Sequence, residues 1–276
     1  MKNGIYLVAT PIGNIADITL RALDVLKRAD IIACEDTRVT KKLFSLLCIS
    51  TTGKNFVSMH DHNEENVAQN LIDSAKDGHI VAYVSDAGSP LISDPGYKLG
   101  KKCREQNIYL TTIPGACAAI CALQLSGLPS NSFTFVGFIP NKDKARHDLF
   151  NKYKDLDSTL IFYETASRLT KTLEVAKDIF GNRDISVARE ITKLYEECKT
   201  GSAQELLTYY TDNQPKGEIV LMIAPSTEEA IIDYKNELAE ELKKSSLKTA
   251  VKIIVEKYGL NKNEVYQKAL ELKNEH

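Results

Sequence analysis

Residues 85–96, which read SDAGSPLISDPG, combine two carboxylates with small and turn-forming residues. They follow an apolar run at 80–84 that is typical of a buried strand, and ligands of open α/β sheets bind at the carboxyl ends of strands. Asp86 and Asp94 can offer carboxylates there, while Gly88, Ser89 and Gly96 let a ligand approach the backbone. The pattern favours a site for a small polar ligand, although a surface turn uses the same residue types.

Two further segments belong to strand ends in the same half of the chain. Pro11 lies in ATPIGN, which lacks the spacing G-x-G-x-x-G of dinucleotide-binding loops and so disfavours NAD, FAD and ATP. Cys117 and Ala118 lie in PGACAA, where small residues at a helix start can place a ligand against backbone N–H groups. Tight packing between helix and sheet is the alternative for the second segment.

Charged candidates follow strands elsewhere. Glu190 and Lys193 lie in REITKLYEE, which is either a site edge or a solvated loop. Residues 142–154 are locally basic, which is typical of a phosphate-contacting patch or of a solvated helix face. Residues 35–38 either cap a helix or form a polar cluster at the mouth of the site. The candidate basic residues for contact with a nucleic acid are Arg38, Lys142, Arg146 and Arg168.

His60 and His62 alternate along a predicted strand end and could chelate a metal ion. The spacing fixes no third ligand, and Asn63, Glu64 and Glu65 already suit the start of a helix, with Asn63 as its N-cap. The sequence therefore predicts no metal site.

Strands and helices alternate through the first half, which predicts a parallel sheet covered on both faces. The predicted strands are 5–9, 31–34, 56–59, 80–84 and 108–112, then 133–138, 159–163, 185–189 and a central 218–224. Residues 228–276 have a helical composition, with 247–258 and 262–272 forming a helix-turn-helix around Gly259. We expect domains at 1–128, 132–225 and 226–276.

The chain has 276 residues, 43% of them hydrophobic and 26% charged, as in ordinary globular proteins. No apolar run is long enough for a membrane helix, and we expect a cytoplasmic protein with reduced cysteines. The net charge of −2 gives no general attraction to nucleic acid, so an RNA partner requires a local basic patch.

Taken together and in this order, the segments resemble the tetrapyrrole-methylase-like superfamily of S-adenosylmethionine enzymes, and most closely its rRNA branch. The resemblance covers nearly the whole chain. It is carried by residues 8–14, 17–23, 33–38, 62–64, 85–96, 114–115, 126–129, 137–140, 159–164, 189–193 and 217–220. It implies a homodimer of two α/β domains with the cofactor in the cleft between them, and a small C-terminal helical domain.

The resemblance also assigns the site. Together with Asp86 of the loop described above, the expected cofactor contacts are Pro11, Ala87, Gly88, Ser89, Ile92, Cys117, Ala118, Tyr163, Gly217 and Ile219. Members of the rRNA branch methylate a ribose 2′-hydroxyl of a cytidine in the decoding centre of 16S rRNA. This implies a partner in 16S rRNA or the small ribosomal subunit.

A ribose hydroxyl is a weak acid, so its methylation needs a base or a group that stabilises the developing alkoxide. Lys193, supported by Glu190, is the candidate. Lysine would need a lowered pKa to serve as the base. The alternatives are methylation of a small molecule such as a tetrapyrrole, and a metabolite-sensing regulator that binds nucleic acid. The latter is disfavoured because acids slightly outnumber lysines over 226–276.

Overall fold

A computed structural model describes residues 1–60, 62–226, 234–258 and 262–274. The chain folds as two compact units, Met1–Ser226 and Thr227–His276. The division of the first unit into domains at 1–128 and 132–225 stays a prediction. No helix among the described residues is long and apolar enough to cross a membrane.

The first unit begins with a five-stranded parallel sheet in the order β3-β2-β4-β1-β5. Apolar clusters lie on both faces, because the inner strands carry apolar side chains in both directions. The predicted parallel sheet is confirmed. Its strands are β1 (Gly4–Val8), β2 (Ile31–Cys34), β3 (Asn55–Ser58), β4 (Ile80–Val84) and β5 (Leu110–Ile113).

Four helices pack against this sheet: α1 (Leu20–Arg28), α2 (Thr37–Leu46), α3 (Glu64–Lys76) and α4 (Tyr97–Glu105). Helix α5 (Ala118–Ser126) follows β5 but packs against the second sheet of this unit. The predicted N-cap position of Asn63 is confirmed, but its side chain makes no capping hydrogen bond to the helix. That side chain instead accepts from the His60 N–H and donates to the Ser58 carbonyl. The preceding loop thus takes up the hydrogen bonds expected for the helix.

A second sheet has the order β6-β7-β10-β8-β9 and mixes one parallel pair with antiparallel ones. Strand β10 is the middle strand of this sheet, which confirms the central position predicted for 218–224 from its apolar residues on both faces. Strand β9 was missed, since its half-exposed sequence ECKTGS has the polarity of a loop. The strands are β6 (Phe133–Phe138), β7 (Thr159–Thr165), β8 (Asp184–Arg189), β9 (Glu197–Ser202) and β10 (Glu218–Ile223). The helices are α6 (Asp143–Tyr153), α7 (Leu169–Phe180) and α8 (Ala203–Asp212).

The second unit contains the helices α9 (Lys235–Lys244), α10 (Leu247–Tyr258) and α11 (Lys262–Asn274). Leu238, Ile254 and Val265 are fully buried between them. The predicted helices at 247–258 and 262–272 are confirmed, and Gly259 lies outside the described residues.

Candidate functional site

A cavity of about 410 Å³ lies between the two sheets of the first unit, where strand ends and loops from both converge. The first sheet contributes the loop after β4 and the start of α5. The second contributes the ends of β6, β7 and β8 and the beginning of β10. The lining residues are Ile12, Glu35, Asp86, Ala87, Gly88, Ser89, Ile92, Asp94, Cys117, Ala118, Phe138, Tyr163, Glu164, Thr165, Glu190, Ile191, Lys193, Gly217, Glu218, Ile219 and Val220.

Most of the residues that the sequence assigned to a site therefore meet at one cavity. Asp86, Ala87, Gly88, Ser89 and Ile92 do so, as do Cys117, Ala118, Tyr163, Gly217, Ile219, Glu190 and Lys193. Pro11 is outside the lining, and its neighbour Ile12 takes the place expected for it.

The loop 85–89 is fixed to the end of β1 by backbone hydrogen bonds. The Thr10 N–H donates to the Gly88 carbonyl at 2.9 Å, and the Gly88 N–H donates back at 3.1 Å. Gly88 has a φ of +81°, a conformation that glycine adopts without cost. The Ser89 hydroxyl donates to the Ala116 carbonyl at 3.0 Å, which ties this loop to the segment before α5. This loop therefore presents hydrogen-bonded backbone with few bulky side chains to the cavity.

The rest of the loop contains residues in unfavourable backbone conformations. Leu91 and Ser93 have φ values of 70° and 63°, which strain residues with side chains. Two contacts hold the loop: the Tyr83 hydroxyl donates to the Pro95 carbonyl at 2.7 Å, and buried Glu64 accepts from the Gly96 N–H at 3.0 Å. Such strain is typical of functional loops, and Asp94 of this loop lines the cavity.

Carboxylates crowd the first-sheet side of the cavity. Burial and the nearby Glu35 raise the pKa of Asp94 to about 6. Burial also raises the pKa of Asp86, whose carboxylate accepts from the Asp36 N–H at 3.1 Å. This wall therefore disfavours further negative charge and suits a cationic ligand.

The raised pKa of Asp94 makes stability depend on pH. Its folded pKa exceeds its ordinary value of 3.8, so its contribution to stability is fully present below pH 3.8 and is lost as the pH rises through about 6. Asp94→Asn should therefore stabilise the protein above pH 7 by about 1 kcal/mol, after a discount for partial exposure, or roughly 2–4 °C in Tm. Calorimetric melting at pH 4.5 and 8 checks this. An equal Tm shift at both pH values would contradict it.

On the opposite wall, Lys193 is held between two carboxylates. Its ammonium lies 3.0 Å from Glu190 Oε1 and 2.9 Å from Glu218 Oε2. Burial works to lower the pKa of Lys193, but hydrogen bonds to Glu218 and Glu190 outweigh it and the pKa is raised. Burial works to raise the pKa of Glu190, yet its pairing with Lys193 leaves that pKa lowered. The pair is charged, so Lys193 does not fit the role of proton acceptor.

The turn that carries this pair is also strained, because Glu190 and Thr192 have φ values of 49° and 66°. It packs against the loop after β1. The Asn14 N–H donates to the Thr192 hydroxyl at 3.1 Å, and a Cβ added at Gly13 would lie 2.5 Å from Lys193 Cγ. Lys193 is thus fixed by residues far from it in sequence.

Position 217 requires glycine, because a side chain there would collide with Glu190 and strain the backbone. A Cβ there would lie 2.1 Å from Glu190 Oε1, and its φ is +86°. At the start of α5, Cys117 occupies the N-cap position without a side-chain cap. The first turn therefore presents backbone N–H groups beside small residues. Both features leave room for a ligand against the backbone.

The basic residues predicted to contact nucleic acid differ in exposure and in their partners. Arg38 is largely exposed beside Asp36, and Lys142 is exposed just before α6. Arg168 pairs with buried Glu164, which lines the cavity. Arg146 is only 2% exposed and donates to the Asn141 carbonyl at 3.3 Å. The basic pattern of 142–154 suggested a surface residue, but Arg146 lies on the inner face of α6.

Some cavity residues were not assigned from the sequence. Phe138 lies in the segment 137–140, whose polarity change at a strand end is the available signal, whereas Glu164 belongs to the strand end 162–164 from which the family resemblance implies cofactor contacts. Glu35 is adjacent to the capping residue Asp36 and was interpreted with it. At the other predicted cluster, the rings of His60 and His62 are 6.1 Å apart between centroids, and the described residues contain no group of three potential ligands.

Comparisons with known proteins agree over almost the full chain. The model for tetrapyrrole (corrin/porphyrin) methylases matches residues 4–207, and that of the RsmI C-terminal HTH domain matches 233–273. Ribosomal RNA small subunit methyltransferase I of Erythrobacter litoralis is 48% identical over 99% of this chain and 96% of the relative. The protein of that name in Rickettsia prowazekii is 44% identical over 96% of each.

A solved uroporphyrin-III-C-methyltransferase from Thermus thermophilus has a similar fold. Its TM-score is 0.56 at 20% identity, with 81% of this chain and 94% of that chain covered. The chain therefore belongs to the tetrapyrrole methylase family and, within it, to the ribosomal RNA small subunit methyltransferase I group.

Proposed function

We propose that this protein transfers the methyl group of S-adenosylmethionine to the ribose 2′-hydroxyl of a cytidine in the decoding centre of 16S rRNA. The observation that carries the proposal is the similarity of almost the whole chain to relatives named for small-subunit rRNA methylation. The cavity supports it, since all the cofactor residues implied by the family resemblance except Pro11 line one space.

The cofactor residues fit a small cationic ligand. Ala87, Gly88 and Ser89 would contact it through backbone, with Cys117 and Ala118 on the adjacent helix start and Gly217 and Ile219 opposite. The fit rests on two features of the chain: positive φ at Gly88 and Gly217, and crowded carboxylates that favour positive charge. The bound sulfonium would supply an activated methyl group.

Lys193 would act as a fixed positive charge beside the acceptor oxygen. Because Glu190 and Glu218 keep it protonated, it would stabilise negative charge that develops as the hydroxyl loses its proton. Its geometry is set before the substrate binds, by the strained 190–192 turn and the contact with Gly13. Preorganised charge of this kind costs no rearrangement during reaction.

The RNA would contact exposed basic side chains rather than the carboxylates of the cavity. Arg38 and Lys142 are available in the first unit. In the C-terminal unit, a groove is lined by three lysines, one acid, one aromatic residue and two valines: Lys248, Lys252, Lys262, Glu256, Tyr266, Val251 and Val255. Lysines beside an aromatic ring are typical of RNA-binding surfaces. We also propose a homodimer and a cytoplasmic location, as the family resemblance implies.

Removal of residues 227–276 should separate cofactor binding from RNA binding. The lining of the cavity lies within 1–226, so S-adenosylmethionine affinity should stay within about twofold of the full chain. Affinity for small ribosomal subunits should fall, because the lysine-lined groove is lost. Calorimetry and filter binding measure the two. Loss of cofactor binding from a truncated protein that remains folded would contradict this assignment.

Ribose-methylation mapping tests the proposal in cells. Reverse transcription of 16S rRNA at low nucleotide concentration should show a stop at one decoding-centre cytidine. That stop should disappear when this gene is deleted and return when it is restored. Methylation of a small molecule, the second candidate, predicts an unchanged 16S rRNA pattern in the deletion strain.

A further inference from the structure

Phe138 is a large apolar side chain in the lining of a cavity that also carries several carboxylates. It ends strand β6, and its side chain is 60% exposed. Most of the cavity's other second-sheet lining is held by charge pairs or by buried strand residues, so an exposed aromatic ring there is not explained by packing.

A β-bulge directs this ring. The pairing of β6 with β7 shifts register between Phe135 and Gly137, and Gly137 has a φ of +91°. A regular strand would place residues 135 and 137 on one face. The extra residue instead brings Phe135 and Phe138 to the same side, where both contact Tyr163. Bulges beside active sites commonly re-aim a side chain.

The ring is held on one side. Its centroid lies 5.3 Å from that of Tyr163 at an interplanar angle of 65°, and Phe135 supports Tyr163 at 5.0 Å. Burial raises the pKa of Tyr163 to about 12, so this support stays uncharged. Among the described residues, Tyr163 is the aromatic neighbour of Phe138, which leaves ring surface facing the cavity.

The charge of the cavity determines which part of an RNA can enter. The basic residue in the described lining is Lys193, whereas carboxylates line the cavity on both sides. The carboxylates are those of Glu35, Asp86, Asp94, Glu164, Glu190 and Glu218. Phosphate groups are therefore disfavoured near this wall. An uncharged nucleobase can gain affinity through stacking, as unpaired RNA bases do on aromatic side chains.

We infer that Phe138 is the stacking platform for the nucleobase of the acceptor nucleotide, which must leave its own stack to bring the ribose into the cavity. This inference rests on the proposed RNA methylation. The base would lie against the exposed ring, while its ribose approaches Lys193 from the same wall. Stacking recognises any base, so Phe138 would position the nucleotide without selecting cytidine.

Phe138→Trp offers a direct readout, because the chain contains no tryptophan. A hexamer of oligocytidylate should quench the emission of this single tryptophan saturably in the full-length protein. A ribose-phosphate hexamer without bases should not. S-adenosylhomocysteine alone should leave most of the emission unchanged. Quenching by S-adenosylhomocysteine but not by oligocytidylate would assign the ring to the cofactor and overturn the inference.

Kinetics with undermethylated small subunits provide the second test. Phe138→Ala and Phe138→Leu should raise KM for the subunit roughly tenfold or more, whereas Phe138→Trp should stay within about threefold. Phe133→Leu, at the other and also exposed end of β6, is the matched control and should match wild type. Cofactor affinity should be unchanged in all four.

The outcomes separate the inference from the function on which it rests. Unchanged KM in Phe138→Ala and Phe138→Leu, with an active wild-type protein, would overturn the stacking role and leave RNA methylation standing. Loss of dimers in Phe138→Ala by light scattering would place the ring in a subunit interface instead. No methyl transfer to RNA by wild type would remove the proposed function and the inference together.

Discussion

Gly88→Val is expected to abolish S-adenosylmethionine binding, with an affinity loss of about 100-fold or more. A Cβ at this position would lie 3.2 Å from Ile12 Cγ2, and the φ of +81° is strained for a β-branched residue. Relief of this strain would have to move the loop out of its paired contact with Thr10. Because the proposed cofactor wall is this backbone, a small displacement removes the contacts. Isothermal calorimetry measures the affinity.

Gly53→Val is the matched control. Gly53 has a φ of +76°, but an added Cβ would meet nothing within 4 Å. This variant pays a similar conformational cost of about 1–2 kcal/mol without touching the cavity. It should lower Tm and retain full cofactor affinity. Ala118→Trp, which fills the cavity from the start of α5, should reproduce the binding loss at normal Tm. Normal affinity in both Gly88→Val and Ala118→Trp would place the cofactor elsewhere.

Lys193→Met should lower kcat by roughly 10²-fold or more, about 2.7 kcal/mol in the activation barrier, with little change in S-adenosylmethionine affinity. The variant removes the fixed positive charge and leaves Glu190 and Glu218 without their shared cation. Single-turnover kinetics at saturating small subunits measure the chemical step. Lys193→Arg keeps the charge and should recover part of the rate.

The pH dependence separates stabiliser from base. The raised pKa of Lys193 keeps it protonated through neutral pH, so the wild-type rate should not rise with a lysine titration between pH 6 and 9. Lys102→Met removes another partly buried, ion-paired lysine, which pairs with Glu65 away from the cavity, and should leave kcat unchanged. A normal single-turnover rate for Lys193→Met would remove this residue from the chemistry.

Local sequence signals predicted most elements, because their causes are local. The apolar run at 80–84 predicted the buried strand β4, because its pattern depends only on neighbouring residues. Strand β9 could not be found in this way. Its polar residues form a strand only because β8 offers a free edge, and that edge belongs to the tertiary structure.

The residues of the site also divide into those with a local sequence signal and those that depend on tertiary structure. Strand ends and small residues pointed to Gly88 and Cys117, since parallel strands collect their carboxyl ends at one edge. The charge state of Lys193 could not be predicted, because Glu218 lies 25 residues away in sequence and Gly13 lies in the loop after β1 of the first sheet. The burial of Arg146 was hidden for a related reason. A basic helix shows which residues are charged, but the tertiary packing decides which face is inside.

The most direct test of the central claim is the chemical position of the transferred methyl group. Purified protein, undermethylated small subunits and methyl-labelled S-adenosylmethionine should give labelled 16S rRNA. After alkaline hydrolysis, the label should appear in a dinucleotide that begins with cytidine, because a 2′-O-methyl group prevents cleavage of the adjacent phosphodiester. Label in mononucleotides would indicate base methylation, and no label in rRNA would exclude this substrate. Either result would contradict the account.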